Sequence, residues 1–364
     1  MLGFGMRKYK IAQIPGDGIG PEVINAGVEV LVALSKKLGD FDLDIVRFPW
    51  GTDYYLKHKE MMPSTGLDSL KDFDAIYFGS AGDPRVPDHL SLWGLRLAIC
   101  QPFEQYANVR PSRLLPGIIS PLRGVSIKDI DWVIIRENTE GEYAGAGGRV
   151  HRGHASEIGM DVSVFTRIGV ERIQKFALDY ARSRTSKRLT FVTKSNAQRH
   201  GMVMWDDVFD EVSSEYTDLH IDRMLVDAMT TRMVLDPSSI DVVVATNLHA
   251  DILSDLAAAL SGSMGIAPTA NLNPEGKFPS MFEPNHGSAF DIMGQGVANP
   301  IGAFWSASMM LSHLGEIKAS NTLMKAIEKF TADGTNFPRD LGGTASTRQV
   351  TDQILSIIDG KNSF

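Results

Sequence analysis

The chain has 364 residues, 43% hydrophobic and 22% charged, with a net charge of -8 and a pI of about 5.6. An acidic balance argues against nucleic acid as a partner, because phosphate binding needs a basic surface. The single cysteine, Cys100, excludes an intrachain disulfide and fits a reducing cytoplasm. No apolar run is long enough to span a bilayer. The length predicts two domains. The opening Met1-Leu-Gly-Phe-Gly-Met6 lacks the apolar core of a signal peptide, so Met6 is an equally natural start and a cytoplasmic location is expected.

Residues 8–14 read as a short apolar strand. They lead into Pro15-Gly-Asp-Gly-Ile-Gly-Pro-Glu22 and then a helix with apolar residues at Val23, Ile24, Val28, Leu31 and Leu34. Further strand signals lie at 43–48, 75–78, 131–135, 189–192, 220–225 and 241–246, with helical patterns between most of them. That alternation predicts an α/β protein. Residues 170–181 read as a helix, and 204–215 place Trp205, Val208, Phe209 and Val212 on one helical face. The glycine-rich stretch 140–153 interrupts the pattern as an arm or extended loop. Residues 271–300, dense in Gly, Pro and Asn, read as a long functional loop. Internal repeats are absent.

Gly16-Asp-Gly-Ile-Gly20 follows a strand and opens a helix, as a dinucleotide phosphate loop does. The third fingerprint glycine is missing, however. Its place is taken by Pro21, which starts a helix instead of permitting close helix–strand packing. Asp42 and Asp44, near the second strand, fit ribose contact only loosely. The turn does not read as a Rossmann loop.

The chemistry gathers further along. Asp251 and Asp255 in Asp251-Ile-Leu-Ser-Asp255 are spaced i, i+4, which puts both carboxylates on one helical face. There they can share a hard divalent cation, or simply start a solvated helix. The apolar strand just before them favours a ligand site, because open α/β sheets bind at carboxyl strand ends. Arg96, Arg110 and Arg136 each lie at the end of a predicted element. Convergent guanidiniums suit a small di-acid, although any one of them fits a surface ion pair equally well. Tyr143 stands in a glycine-rich segment, and Lys194 ends the strand Thr190-Phe-Val-Thr-Lys194, where lowered pKa would make it a general base. In Phe282-Glu-Pro-Asn-His286-Gly287-Ser288-Ala289-Phe-Asp291 and in Asn299-Pro300, small residues allow close backbone approach to a ligand. An acidic side chain there accepts hydrogen bonds from ribose hydroxyls and repels a 2′-phosphate.

Taken in order, Gly16-Asp-Gly-Ile-Gly-Pro-Glu22, Asn108-Val-Arg-Pro111, Arg136-Glu-Asn-Thr-Glu-Gly141, Asp251-Ile-Leu-Ser-Asp255 and Glu283-Pro-Asn-His-Gly-Ser-Ala289 resemble the β-decarboxylating hydroxyacid dehydrogenases. This is the isocitrate/isopropylmalate dehydrogenase family. Leu92-Trp-Gly-Leu-Arg96 with Ile99-Cys-Gln101 resembles its tartrate and D-malate branch. The resemblance implies a two-domain α/β fold without a Rossmann unit. Residues 1–108 plus 263–364 would form an outer cofactor-binding domain, and 109–262 an inner domain with an arm near 137–157. It implies that Asp251 and Asp255 bind Mn²⁺ or Mg²⁺ together with Asp227 lent by a second subunit, so that the active site needs a homodimer. Lys194, also lent across, would take the hydroxyl proton, and Tyr143 would be the general acid. Arg110 and Arg136 would hold carboxylates. His286, Gly287, Ser288, Ala289, Asp291 and Asn299 would bind the adenosine of NAD, and Asp291-Ile292 matches the NAD-using pattern. A monovalent cation such as K⁺ is a further family expectation.

The implied activity is metal-dependent oxidation of tartrate and oxidative decarboxylation of D-malate. Isopropylmalate oxidation and an acyltransferase of related fold are the alternatives. One position departs from the family. Isopropylmalate and isocitrate enzymes carry an arginine ten positions before the one matching Arg110, and here that residue is Cys100. Arg96, one helical turn upstream, is expected to replace it, with Trp93 narrowing the pocket. Pro102 is expected to end the helix near Cys100.

Overall fold

Buried apolar runs set most of the strands. The computed structural model describes residues 6–361; most of the leader, residues 1–5, lies outside the described residues. In chain order the strands are β1 (Arg7–Gly16), β2 (Phe41–Arg47), β3 (Ala75–Ser80), β4 (Ala107–Arg113), β5 (Asp131–Glu137), β6 (Gly141–Val150), β7 (Ile158–Val164), β8 (Arg188–Thr193), β9 (His220–Leu225), β10 (Val242–Ala245), β11 (Pro268–Leu272) and β12 (Ser280–Pro284). The chain forms two compact units. One contains Met1–Glu104, Leu114–Arg123 and Ala258–Phe364, and the other Gln105–Arg113 and Gly124–Ala257. The sequence reading placed Leu114–Arg123 in the inner domain. It packs in the first unit instead, where Ser120 Oγ donates to the Leu260 carbonyl at 2.6 Å and Ile118 covers Gly262.

In the first unit the strands run in the order β2-β1-β3-β12-β11. The first four are parallel, and β11 is antiparallel to β12. Ile14, Phe78 and Met281 pack one face against Trp50, Leu95, Ile99, Cys100 and Phe103. Tyr77 carries the bond to the helix Ile301–His313, donating to the Ala303 carbonyl at 2.7 Å. The stretch expected as one long loop, 271–300, contains β12. Its apolar alternation is broken by Glu283, which is buried but paired with Arg96 and Asn271. A buried ion pair therefore hides a strand from a hydrophobicity reading.

The glycine turn explains its own composition. The N–H of Asp17 donates to the Ser80 carbonyl at 2.8 Å, Ile19 to Ser288 at 2.9 Å and Gly20 back to Asp17 at 2.9 Å. Gly16 has φ +67°, and a Cβ there would lie 1.9 Å from the Ser80 carbonyl oxygen. At Gly18, φ +58°, it would lie 2.0 Å from that of Ser288. Three of the N–H groups that would cradle a pyrophosphate thus serve protein carbonyls. The Asp17 carboxylate is buried and accepts from Thr52 N at 2.7 Å, Thr52 Oγ1 at 3.0 Å and Gly82 N at 3.0 Å. Burial outweighs those bonds and raises its pKa above the ordinary carboxylate value.

In the second unit the order is β4-β5-β10-β8-β9, with β4 antiparallel to β5 and the other four parallel. The helix Gly201–Ser213 buries Trp205, Val208, Phe209 and Val212, the expected face. Phe209 stacks on Phe191 of β8 at 3.9 Å between centroids, and Trp205 Nε1 donates to the Val192 carbonyl at 3.1 Å. The glycine-rich arm is an antiparallel ribbon, β6 with β7, which runs on to Val164.

Gly16→Ala is expected to lower the thermal unfolding midpoint clearly, because positive φ and the Ser80 contact each cost on the order of 1–3 kcal/mol. A variant melting with the wild type would show that the turn has room.

Candidate active site

The carboxyl ends of the four parallel strands in the second unit collect the candidate residues. Arg136 is near the end of β5, Asn247 lies two residues beyond β10, Lys194 directly follows β8, and Asp227 lies two residues beyond β9. Antiparallel β4 brings Asn108 opposite Arg136. Ligands of open α/β sheets bind at this end.

Asp251, on the helix Asn247–Leu260, is the convergence point. Its Oδ1 accepts from Arg110 Nη1 at 3.2 Å and from Arg136 Nη1, and its Oδ2 accepts from the Tyr143 hydroxyl at 3.2 Å. The Arg136 guanidinium also lies over the Tyr143 ring, 5.2 Å from its centroid. Both arginines are almost wholly buried, at 7% and 3% exposure, while Asp251 stays one-third open. Polar neighbours fix the guanidiniums. Asn247 Oδ1 accepts from Arg136 Nε at 3.0 Å and Nη2 at 2.8 Å. Asn108 Oδ1 accepts from Arg110 Nε at 2.9 Å, and Arg110 Nη1 reaches Ser254 Oγ at 2.6 Å. Sequence reasoning missed Asn108, Asn247 and Ser254 as positioning residues. The signal was present in part, since Asn108 stands inside the motif Asn108-Val-Arg-Pro111 and Ser254 inside Asp251-Ile-Leu-Ser-Asp255.

Asp255 follows one turn later on the exposed side of the same helix. The pair offers two hard oxygen donors, the chemistry Mg²⁺ and Mn²⁺ favour. Among the described residues no group of three or more His, Cys, Asp or Glu is placed to hold a metal ion. The third expected carboxylate, Asp227, instead pairs with Lys194 Nζ of the same chain. That ammonium holds the Asp227 carboxyl below the ordinary carboxylate range. His249 is buried in the same helix, and burial lowers its pKa.

The first unit carries the segment expected for adenosine. His286 Nε2 and Ser288 Oγ are buried polar atoms without a hydrogen-bond partner among the described residues. Burial keeps the His286 imidazole neutral by lowering its pKa. A side chain at Gly287 would meet nothing within 4 Å, and Ala289 holds a left-handed φ of +41°. Asn299 uses both side-chain polar atoms, accepting from Ile301 N at 3.0 Å and donating to Asp340 Oδ2 at 2.9 Å. Its backbone N–H and carbonyl have no protein partner among the described residues. Asp291 is exposed. Orphaned polar atoms, open space and a free carboxylate fit a nucleoside.

Arg96 lies in the first unit, at the end of a π-helical turn, Leu92–Arg96. Its Nε donates to Glu283 Oε1 at 2.8 Å and its Nη2 to Asn271 Oδ1 at 3.1 Å. Cys100 is fully buried in the apolar cluster beside Met281, two residues from Glu283 on the same strand. Helical structure does end at Cys100, as Pro102 predicted. Trp93 is 37% exposed.

Residues 10–354 match the family model described as isocitrate/isopropylmalate dehydrogenase. A probable tartrate dehydrogenase/decarboxylase TtuC of Agrobacterium vitis is 62% identical over 98% of this chain and 98% of that protein. The chain belongs to the isocitrate/isopropylmalate dehydrogenase family. D-malate dehydrogenase [decarboxylating] of Escherichia coli (strain K12) is 47% identical over 97% of this chain and 99% of its own. The crystal structure of isocitrate dehydrogenase from Methylococcus capsulatus superposes with a TM-score of 0.86 at 34% identity, covering 96% of this chain and 99% of the other. As a member of the isocitrate/isopropylmalate dehydrogenase family, the protein is an oxidoreductase. No helix among the described residues is long and apolar enough to cross a membrane.

Asn247→Ala removes the acceptor of two Arg136 N–H bonds. Hydrogen bonds to a charged group contribute about 1.5–3 kcal/mol, so we expect kcat/KM for the hydroxyacid to fall at least tenfold. KM for the cofactor should stay within twofold. Steady-state kinetics with each substrate varied will read this; equal changes in both constants would assign Asn247 to general stability.

Proposed function

We propose that the protein is an NAD- and divalent-metal-dependent dehydrogenase that oxidises tartrate and oxidatively decarboxylates D-malate. The observation that carries this reading is the convergence of Arg110, Arg136 and Tyr143 on Asp251 at the carboxyl ends of β5 and β10. Two buried guanidiniums, one with a phenol against it, form a receptor for a small di-acid. Relatives over nearly the full length are named for tartrate and D-malate. Dehydrogenases of this family use NAD and a divalent metal.

In this reading Arg110 and Arg136 hold the carboxylates of the substrate, and Lys194 takes the proton of the hydroxyl as hydride passes to the nicotinamide. Loss of CO₂ from the resulting β-keto acid leaves an enolate, and the Tyr143 hydroxyl protonates its carbon. Asp251, Asp255 and Asp227 would hold Mn²⁺ or Mg²⁺, which would supply Lewis-acid polarisation of the oxygen on the carbon being oxidised. His286, Gly287, Ser288, Ala289 and Asn299 line the adenosine site, and Asp291 accepts from the ribose hydroxyls and selects against NADP. We assign Arg96 to anchoring Glu283 and Asn271, and leave the di-acid to Arg110 and Arg136.

The reading includes a homodimer whose subunits exchange Lys194 and Asp227. Two features support it. Ile158, Met160, Val162 and Val164 alternate along β7 and are all exposed, so one face of the ribbon is apolar and bare. Val234, Leu235, Leu248 and Ile252 are likewise exposed on the helices Val226–Leu235 and Asn247–Leu260.

The activity is tested with L-tartrate, meso-tartrate, D-malate, isopropylmalate and isocitrate, each with NAD and NADP, measuring reduced cofactor and CO₂ separately. NADH from tartrate and D-malate with Mn²⁺, abolished by EDTA and restored by metal, is the expected result. No NADH from any 2-hydroxy di-acid would remove the dehydrogenase reading. Shared sites are tested by co-expressing Lys194→Ala with Asp251→Asn. Each alone should be inactive, and the mixed dimer should regain activity at the one site that carries neither change. Failure to complement, with mixed dimers confirmed by mass, would assign each site to a single chain.

A further inference from the structure

We propose that Glu22, at the start of the first long helix, is a positioning residue for the cofactor: with Thr347 it fixes the two peptides of Ala298, the residue that leads into the adenine-reading Asn299. The proposal rests on the cofactor reading given above. Glu22 stands in the first turn of the helix Gly20–Leu38, remote in sequence from the adenosine segment. Its Oε1 accepts from the backbone N–H of Ala298 at 2.9 Å and lies within bonding reach of the Thr347 hydroxyl. Thr347 Oγ1 is also 2.6 Å from the Ala298 carbonyl, and the Thr347 N–H donates to Gly296 at 2.9 Å. Ala298 is thus tied at both its N–H and its carbonyl, and it is fully buried.

The next residue is different. Asn299 is anchored through its side chain by Asp340 and by the helix that opens at Ile301, while its own backbone N–H and carbonyl have no partner among the described residues. A donor and an acceptor side by side on one residue complement the N1 and N6 edge of adenine. The Asn299 N–H lies in the peptide plane of the Ala298 carbonyl, which Thr347 holds, and Glu22 holds the preceding plane at the Ala298 N–H, so the backbone enters Asn299 in one direction. The glycine turn adds a second tie on the other end of the segment, since Ile19 N–H holds the Ser288 carbonyl at 2.9 Å and Gly18 leaves no space between them. The motif that resembles a phosphate loop serves the cofactor indirectly. It braces the loop that binds adenosine at Ser288 and at Ala298.

Hydrogen bonding needs only an acceptor at Oε1, so the conservative variant is informative. Glu22→Ala should raise KM for NAD and the inhibition constant of ADP-ribose about tenfold, the scale of one lost charge-assisted bond. At saturating NAD, kcat and KM for D-malate should stay within twofold. Glu22→Gln keeps the acceptor and should restore both constants to near wild type. Thr347→Val should raise the same two constants by a smaller factor, and it decides the matter if Glu22→Ala fails to fold. Wild-type ADP-ribose affinity in Glu22→Ala, or in a folded Thr347→Val when the first is unfolded, overturns the role of Glu22. So does a Glu22→Ala enzyme whose kcat and hydroxyacid KM change as much as its NAD KM. If the wild-type protein binds no ADP-ribose, the cofactor reading fails, independently of Glu22.

Discussion

Two guanidinium ions buried side by side constrain the second unit more than any apolar contact does. Arg110 and Arg136 are nearly inaccessible to water, and an uncompensated buried charge costs several kcal/mol. Asp251 is the carboxylate both reach, so the helix that carries it must start in one place. Glu142 holds that start, accepting from Leu248 N at 3.1 Å and Thr246 Oγ1 at 3.0 Å. Asn247 Nδ2 adds a bond to the Glu140 carbonyl at 3.0 Å. The same short stretch then delivers Tyr143 to Asp251 Oδ2. Strand end, helix start and the root of the β6–β7 ribbon are therefore locked by one set of charges. That is the preorganisation a di-acid receptor needs.

The first unit applies the same logic. Arg96 and Glu283 are paired in its interior, with Asn271 bonded to both. The pair fixes β12, and β12 delivers the chain to His286 and Ser288. Backbone-to-backbone contact does the rest. Gly16 and Gly18 let the turn press against Ser80 and Ser288, where any side chain would force them apart. A position that looks made for phosphate is in fact filled by protein carbonyls.

These two cases show what the sequence made legible. The parallel strands were readable because burial on both faces gives continuous apolar runs such as Val242–Ala245. The helix Gly201–Ser213 was readable because its buried face recurs at helical spacing. By contrast, β4 carries Arg110 and Pro111, and β12 carries Glu283, so neither shows a hydrophobic signature. Those polar residues are buried only because a partner remote in sequence satisfies them, and no local pattern encodes that partner. The candidate site was legible for the opposite reason. Asp251, Arg136 and Tyr143 carry ionisable groups that point to chemistry by themselves, whereas Asn108, Asn247 and Ser254, which aim the arginines, are neutral polar residues whose role shows only in their contacts.

A difference in burial separates the tightly held charges of the second unit from the loosely held ones. Arg136 is buried where it meets Asp251, so breaking the contact strands its charge away from water. Lys194 and Asp227 meet at the surface, with Asp227 64% exposed, and exposed ion pairs contribute little. Water can take either member at low cost, so the pair exchanges readily for a better partner. In the proposed reaction Lys194 would take a proton and Asp227 would join a cation site, and a loosely held pair releases either member for such a partner. The fold therefore fixes Arg110 and Arg136 tightly on Asp251 and leaves Lys194 and Asp227, just beyond β8 and β9, loosely held on one another.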